Sequence, residues 1–185
     1  QDVHSFPTRR SSDLFGLGPI GLLIVEALRA AGASKIYAVE LSPERQAKAE
    51  ELGAIVVRPE EGESIVEAIH RLTGGGADVS YEVTGVPVVL GQALAAVHKA
   101  GECMVVSIWE REASINPNEF AIQEKTLKGI IAYRHIFPKV LELMEQGYFS
   151  AEKLVTKKIK LENIVQDGFI ELTQDKSQIK ILVEP

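Results

Sequence analysis

A glycine-rich turn at residues 16–21 carries the clearest chemical signal in the amino-acid sequence. Its G-x-G-x-x-G spacing is filled, in order, by Gly16, Leu17, Gly18, Pro19, Ile20 and Gly21. In such a turn the first glycine permits a tight bend, the second lets the backbone approach a pyrophosphate, and the third lets the next helix pack against a strand. The N–H groups and the dipole of that helix stabilise phosphate charge. Glycines mark turns in many folds. The motif therefore predicts dinucleotide binding only where it lies between a strand and a helix.

An acidic residue, Glu40, provides a second signal about 20 residues further along the chain. A carboxylate at the end of the second strand can accept hydrogen bonds from both hydroxyls of an adenosine ribose. The same carboxylate would repel the 2′-phosphate of NADP, so Glu40 favours NAD. Arg45 leaves an alternative open, because a nearby arginine can accept a 2′-phosphate. Otherwise Arg45 would lie on a solvated helix face among several glutamates.

The elements around these residues alternate between short apolar runs and amphipathic helical stretches. Ser42 followed by Pro43 marks the start of one helix, and Gly32 marks the end of another. The alternation is typical of βα units and predicts an α/β fold with a doubly wound parallel sheet, the Rossmann arrangement. The predicted strands are 14–15, 35–39, 54–57, 79–83, 102–108 and 127–132, and the predicted helices are 19–31, 43–52, 64–72, 88–97 and 138–146.

The two ends of the chain differ from this pattern. Residues 1–13 read QDVHSFPTRRSSD, show no period of 2 or 3.6 residues, and leave only Leu14 and Phe15 before the turn. The stretch SFPTRRSSDL resembles translated sequencing-adapter read-through joined to a truncated gene; a genuine linker is the alternative. We therefore expect a non-native or unstructured leader at 1–13 and a dinucleotide-binding domain at 14–149. Segment 150–185 is predicted to form strand 154–161, helix 162–173 and strand 179–183, and to pack onto something other than the main sheet.

The composition argues against several classes of function. The chain has 185 residues, of which 45% are hydrophobic and 25% charged, enough for one domain with a buried core and an appendage. A formal net charge of -6 gives no basic surface for nucleic acid. The longest apolar stretch, residues 19–25, is far shorter than the roughly 20 residues that cross a bilayer. A single cysteine, Cys103, and the lack of an apolar signal core favour a cytoplasmic protein.

Four segments resemble a known family more specifically than the glycine motif does. They are FGLGPIGLL, AVELSPERQAKAEELGA, GGGADVSYEVTG and KGIIAYRHIFPKVLELM. From residue 14 to about residue 183, the chain is similar to the medium-chain dehydrogenase/reductase superfamily, and within it to the zinc-dependent polyol branch that includes butanediol and sorbitol dehydrogenases. The resemblance implies NAD-linked, zinc-assisted oxidation of a secondary alcohol or diol. It also implies that segment 150–185 is a remnant of the catalytic domain, whose N-terminal part is missing from this chain.

The resemblance assigns roles to individual residues. It places Glu40 and Arg45 at the adenosine ribose and the turn at the pyrophosphate. The residues implied along the rest of the cofactor are Val83, Thr84, Gly85, Val106, Ser107, Ile108, Ile130, Ile131 and Ala132, with Tyr133 facing the substrate.

Several of these assignments have alternatives. Ser107 replaces the glycine of many relatives, which leaves its contact open. Ala132 replaces the arginine of sorbitol-type enzymes, which favours a smaller diol such as butanediol, or the ketone acetoin. Val106 and Ile108 would be buried in any fifth strand, and Tyr133 is also compatible with a half-buried strand residue.

No residues with the spacing of metal ligands are apparent. In the family, Cys, His and Glu ligands of the catalytic zinc precede the glycine turn. Cys103 is expected to be buried in the fifth strand, and His4, His70, His98 and His135 share no ligand-like spacing. We therefore expect no metal site and no catalytic residue here, and an inactive fragment on its own.

Two other functions remain open. One is a stand-alone NAD-binding or sensor module, against which the short first strand and the C-terminal segment count. The other is a zinc-free, quinone-reductase-like enzyme, which the polyol-like EVTG and AYRHIFP segments disfavour. Because members of the family usually self-associate, we expect a homo-oligomer that uses the segment near 114–120.

Overall fold

A computed structural model describes residues 10–149, 151–175 and 177–185. The strands of its main sheet are β1 (Ser11–Phe15), β2 (Lys35–Val39), β3 (Ile55–Val56), β4 (Ala77–Glu82), β5 (Val97–Val105) and β6 (Thr126–Gly129). All neighbours pair in parallel, in the order β3-β2-β1-β4-β5-β6. The reversal of strand order between β1 and β4 defines the Rossmann arrangement. The predicted doubly wound parallel sheet is confirmed.

Local sequence signals explain where the helices begin. They are α1 (Pro19–Ala30), α2 (Pro43–Glu51), α3 (Ile65–Thr73), α4 (Pro87–Ala96), α5 (Asn118–Ala121) and α6 (Phe137–Glu145). Proline begins α1, α2 and α4, where its missing N–H is not needed. The Ser42 hydroxyl caps α2 by accepting the Arg45 N–H at 3.4 Å, and Ser64 and Glu67 form a capping box on α3. Within the described ranges, no helix is long and apolar enough to span a membrane.

Apolar side chains cover both faces of the sheet. One buried cluster includes Leu14, Leu22, Val25, Ile36 and Ala38, and the other includes Phe15, Tyr37, Ile69, Leu94 and Cys103. Neighbours such as Leu14 and Phe15 enter opposite clusters because successive side chains of a strand point to opposite faces. Burial on both faces specifies the strand register, and with it the positions of the loops at the strand ends.

Strand β1 contains Ser11, Ser12 and Asp13, which the sequence analysis placed in an unpacked leader. Ser12 and Asp13 are buried, and β1 pairs with both β2 and β4. The expectation is wrong for these three residues. Parallel partners on both sides supply backbone hydrogen bonds that do not depend on side-chain type, and this context overrides local preference. Residues 1–9 lie outside the described ranges.

The C-terminal segment forms a small sheet of its own. Its elements are α7 (Ala151–Leu154), β7 (Val155–Lys160), a 3₁₀ helix (Leu161–Asn163), a π-helix (Ile164–Ile170), α8 (Glu171–Gln174) and β8 (Lys180–Glu184). Strands β7 and β8 pair with each other in parallel. Leu154 and Ile179 are buried in the same cluster as Leu14. Part of this segment therefore packs on the main domain, which differs from the expectation that it packs elsewhere.

Candidate functional site

Two adjoining clefts lie where the strands of the main sheet end. The first cleft, of about 560 Å³, is lined mainly by residues that follow β1, β2 and β4. The second cleft, of about 800 Å³, is lined mainly by residues that follow β4, β5 and β6. Val83 and Thr84 line both. Doubly wound sheets bind ligands at this edge, next to the reversal of strand order, so the clefts occupy the expected position.

Most residues predicted at the site line these clefts. The first contains Gly16, Gly18, Glu40, Arg45, Val83 and Thr84, and the second contains Ile20, Val83, Thr84, Val106, Ser107, Ile108, Ile130, Ile131, Ala132 and Tyr133. Pro19, Gly21 and Gly85 are not among the lining residues. The lining residues that were not predicted from the sequence are Phe15, Val39, Leu41, Val86, Val88, Val89, Gln92, Arg134 and Ile136. Most of these are apolar, and no sequence pattern distinguishes them from ordinary helix or strand residues.

Three glycines of the site are needed by the fold itself. Gly16 has a φ of +100°, and a Cβ there would lie 2.7 Å from the Thr84 Cγ2. A Cβ on Gly21 would lie 2.0 Å from the Gly16 carbonyl oxygen. Gly85 has a φ of +68°, and its Cβ would lie 2.9 Å from the Ile108 carbonyl oxygen. Gly21 and Gly85 therefore let backbone segments approach each other more closely than a side chain permits, and Gly16 supplies a backbone conformation that other residues rarely adopt.

Gly18 differs from those glycines. Its φ of −66° suits any residue, and no atom beyond its own neighbours lies within 4 Å of its Cβ position. It caps α1 and lines the first cleft. The N–H groups in the first turn of α1 have no intrahelical acceptor. The geometry thus leaves an open, anion-binding position above Gly18, and nothing in the described fold requires a glycine there.

Glu40 follows β2 at the first cleft. Its Oε2 accepts a hydrogen bond from the Leu17 N–H at 2.9 Å, and its Oε1 accepts from the N–H groups of Leu41 at 2.7 Å and Ser42 at 3.1 Å. The Arg45 Nη1 lies 3.8 Å from the Glu40 Oε2. Glu40 therefore ties the glycine-rich turn to the loop between β2 and α2. The two main signals of the sequence are in direct contact.

Glu82, at the end of β4, is a buried carboxylate that the sequence analysis did not single out. Its Oε1 accepts hydrogen bonds from the Thr84 N–H at 2.7 Å, the Thr84 hydroxyl at 2.5 Å and the Gly85 N–H at 3.0 Å. Its Oε2 accepts a hydrogen bond from the Ser107 hydroxyl. Glu82 therefore joins the loop after β4 to the loop after β5. An acidic residue at the end of a predicted strand was the available signal.

The second cleft is formed by chain beyond the ends of two strands. Residues 106–108 and 130–132 follow β5 and β6 and are loop residues, not strand residues as predicted. Ile108 and Tyr133 are 85% and 75% exposed. The Tyr133 ring stacks on Phe137 with 5.5 Å between ring centroids. The cleft therefore presents open, largely apolar walls of the kind that bind small molecules.

The described residues do not fit a zinc site. Among them, no group of three or more His, Cys, Asp or Glu side chains is placed to hold a metal ion. Cys103 is buried in β5, and this burial, together with nearby acidic side chains, raises the pKa of its thiol to about 12. The thiolate that binds metal is therefore not populated at neutral pH. His70 contacts the Ala95 carbonyl and His98 contacts the Asp78 carboxylate.

Comparisons with known proteins identify a family and several relatives of this chain. The zinc-binding dehydrogenase family matches residues 19–146. The (R,R)-butanediol dehydrogenase of Bacillus subtilis strain 168 is 62% identical over 172 residues, which are 93% of this chain and 50% of that protein. The sorbitol dehydrogenase of the same strain is 32% identical over 175 residues, which are 93% of this chain and 49% of that protein.

A solved structure shares the whole described architecture. The crystal structure of 2R,3R-butanediol dehydrogenase from Bacillus subtilis matches with a TM-score of 0.92 and 58% identity, over 99% of this chain and 53% of that chain. The chain thus spans about half the length of the relatives it matches. The family match covers helix α1, Glu40 and both cleft-forming loops. The chain belongs to the zinc-binding dehydrogenase family.

Proposed function

We propose that this chain is the cofactor-binding half of an NAD-dependent, zinc-assisted dehydrogenase that oxidises a secondary alcohol or diol of the 2,3-butanediol and acetoin type. The observation that carries the proposal is the open position above Gly18, at the start of α1 and beside Glu40. The 62% identity to a butanediol dehydrogenase supports the substrate class.

In this proposal the adenosine diphosphate part of the cofactor occupies the first cleft. The pyrophosphate lies above Gly18 and accepts hydrogen bonds from N–H groups in the first turn of α1. The Glu40 carboxylate accepts hydrogen bonds from the ribose hydroxyls. Leu41 and Val88, which line the same cleft, cover the adenine.

Glu40 supports NAD over NADP as the cofactor. A 2′-phosphate on the adenosine ribose would place further negative charge beside a carboxylate whose side chain is only 12% exposed. Arg45 lies 3.8 Å from that carboxylate. Its positive charge is therefore already engaged by Glu40 and is less able to balance a phosphate.

The nicotinamide would occupy the second cleft, between the loops at 106–108 and 130–132, with Tyr133 facing the substrate. The chemistry that zinc supplies in such enzymes is polarisation of the alcohol oxygen. Because the described residues do not fit a zinc site, we assign the ion to the half of the enzyme that they do not represent.

The C-terminal segment supports this division of the enzyme. Several of its apolar side chains are exposed, namely Leu161, Val165, Phe169, Leu172, Leu182 and Val183. Exposed apolar surface of this kind is typical of an interface. We assign 14–149 to dinucleotide binding and this surface to contact with the catalytic half. A stand-alone sensor would leave it uncovered.

The test is calorimetric titration of the folded, purified chain with NAD and, separately, with NADP. We expect saturable NAD binding, with NADP at least about tenfold weaker. Glu40→Ala should weaken NAD binding about tenfold, because a hydrogen bond to a charged group contributes roughly 1.5–3 kcal/mol. Glu51→Ala removes an exposed carboxylate from the far end of α2 and should leave the affinity unchanged. Binding of neither nucleotide, or equal binding of both, would contradict the proposal.

A further inference from the structure

The Glu82 carboxylate lies one hydrogen bond behind the surface of the second cleft. Its side chain is fully buried, with 0% exposure. Its hydrogen-bond partners Thr84 and Ser107 both line that cleft. A charge at this position is therefore shielded from water but close to anything that the cleft binds.

Hydrogen-bond donors surround the Glu82 carboxylate. Its Oε1 accepts from two backbone N–H groups, which can only donate, and from the Thr84 hydroxyl. Its Oε2 accepts from the Ser107 hydroxyl. Donors directed at both oxygens stabilise the negative form.

The other charged groups around Glu82 are screened, paired or neutral. Arg134 lines the second cleft, but it is exposed to solvent, which screens its charge. Lys125 is buried and pairs with Glu119 at 2.8 Å. Burial raises the pKa of Asp13 to about 7, so its carboxyl is mostly protonated in mildly acidic solution. Within the described chain, Glu82 is therefore a buried carboxylate behind this wall of the cleft that these groups do not neutralise.

We propose that the Glu82 carboxylate biases the second cleft toward the oxidised form of a nicotinamide cofactor. The inference rests on the proposed function, which places the nicotinamide in this cleft. The oxidised ring is positively charged and the reduced ring is neutral, so a fixed negative charge behind the cleft wall stabilises the oxidised form selectively. That form is the reactant in alcohol oxidation. Selective stabilisation also lowers the reduction potential of the bound cofactor.

The test compares the dissociation constants of NAD⁺ and NADH, measured by calorimetry at about pH 6 on the parent chain and on Glu82→Gln. The glutamine amide oxygen can accept the bonds now made to Oε1, and its NH₂ can donate to the Ser107 hydroxyl. The loops therefore stay joined while the charge is lost. We expect the ratio of Kd for NAD⁺ to Kd for NADH to rise roughly threefold to tenfold, through weaker NAD⁺ binding.

Two control variants separate the charge of Glu82 from its structural role. Glu82→Asp shortens the side chain but keeps the charge, so the ratio should not rise. Glu102→Gln removes a carboxylate from the same pair of strands, opposite Val79 and away from the clefts, and should leave the ratio unchanged. If Glu82→Gln does not fold, Glu82→Asp alone is compared with the parent chain, and a raised ratio there overturns the proposal.

The outcomes distinguish this proposal from the one on which it rests. An unchanged ratio in folded Glu82→Gln, or an equal rise in Glu82→Asp, overturns the charge effect while cofactor binding stands. If the folded parent chain binds neither NAD⁺ nor NADH, the proposed function itself fails and the charge effect fails with it.

Discussion

Gly21 and Gly16 meet across the glycine-rich turn, where a Cβ on Gly21 would lie 2.0 Å from the Gly16 carbonyl oxygen. The Gly16 N–H donates to the Val39 carbonyl at 3.0 Å, which holds this backbone against β2. The turn therefore cannot move away from α1 without losing its hydrogen bond to β2.

Gly21→Ala should destabilise the domain. The added methyl group forces backbone atoms apart, and overpacking of this kind costs about 1–3 kcal/mol. Gly91→Ala in α4 is the matched control, because its Cβ meets nothing within 4 Å. Alanine is preferred in a helix interior, so that variant should be slightly more stable. Urea unfolding followed by circular dichroism measures both, and equal stability of the two variants would contradict the prediction.

Gly18→Ala should weaken NAD binding with little effect on stability. Its backbone conformation suits alanine and the Cβ position is open, so the free energy of unfolding should change by less than about 1 kcal/mol. The methyl group would fill the space proposed for the pyrophosphate, and NAD affinity should fall at least about tenfold. Thermal melts and calorimetry test the two parts. Unchanged NAD affinity would show that no ligand approaches Gly18 closely.

Asp13 should make the domain less stable as the pH rises. It is fully buried in β1, and within the described ranges no group hydrogen-bonds either of its carboxyl oxygens. Burial raises its pKa from 3.8 to about 7, and the adjacent Ser80 hydroxyl offsets only part of this. The folded chain thus keeps a proton that the unfolded chain releases. The resulting stabilisation is complete below about pH 4 and is lost as the pH rises to about 7.

Urea unfolding between about pH 5 and pH 8 measures this dependence. The slope attributable to Asp13 should be at most roughly 1.4 kcal/mol per pH unit. Asp13→Val should remove that slope and raise the stability at about pH 8, since an apolar side chain suits the site. Glu61→Gln, at an exposed position, is the control and should keep the slope of the parent. A parent slope retained in Asp13→Val would exclude Asp13 as its cause.

Cys103 should react with thiol reagents only after the domain opens. Its side chain is buried, and burial raises the thiol pKa to about 12, so both access and thiolate are lacking. Labelling with a disulfide reagent at neutral pH should be slow in native buffer and rapid in urea. Fast labelling of the native chain would mean that β5 is exposed in solution.

The sequence predicted the backbone well where local signals suffice. Strand β2 has its predicted bounds, and α1 ends within one residue of the prediction, because apolar runs, prolines and capping residues are local features. The errors lie in segments whose structure is determined by tertiary contacts. Pairing with β2, and with β4 from Ser12 onward, orders Ser11–Asp13 despite their polar composition. The predicted helix near the C-terminus contains a π-helix at Ile164–Ile170, for which the sequence carries no clear signal.

The predictions about the candidate site succeeded and failed for the same physical reasons. The glycine turn and Glu40 are recognisable because their expected chemistry requires particular residue types at a known spacing. Glu82 was missed because its role depends on Ser107, which reaches it from the loop after β5, 25 residues later in the chain. No sequence period connects the two residues.

The small sheet of β7 and β8 has a consequence for handling the isolated chain. A two-stranded sheet is only marginally stable alone, and its outer backbone groups can template further strands. Strand β7 carries lysines at positions 157, 158 and 160, charges of the kind that discourage edge-to-edge aggregation. The tendency of the purified chain to aggregate should therefore depend on these lysines and on ionic strength. It should not depend on how tightly the clefts bind a nucleotide.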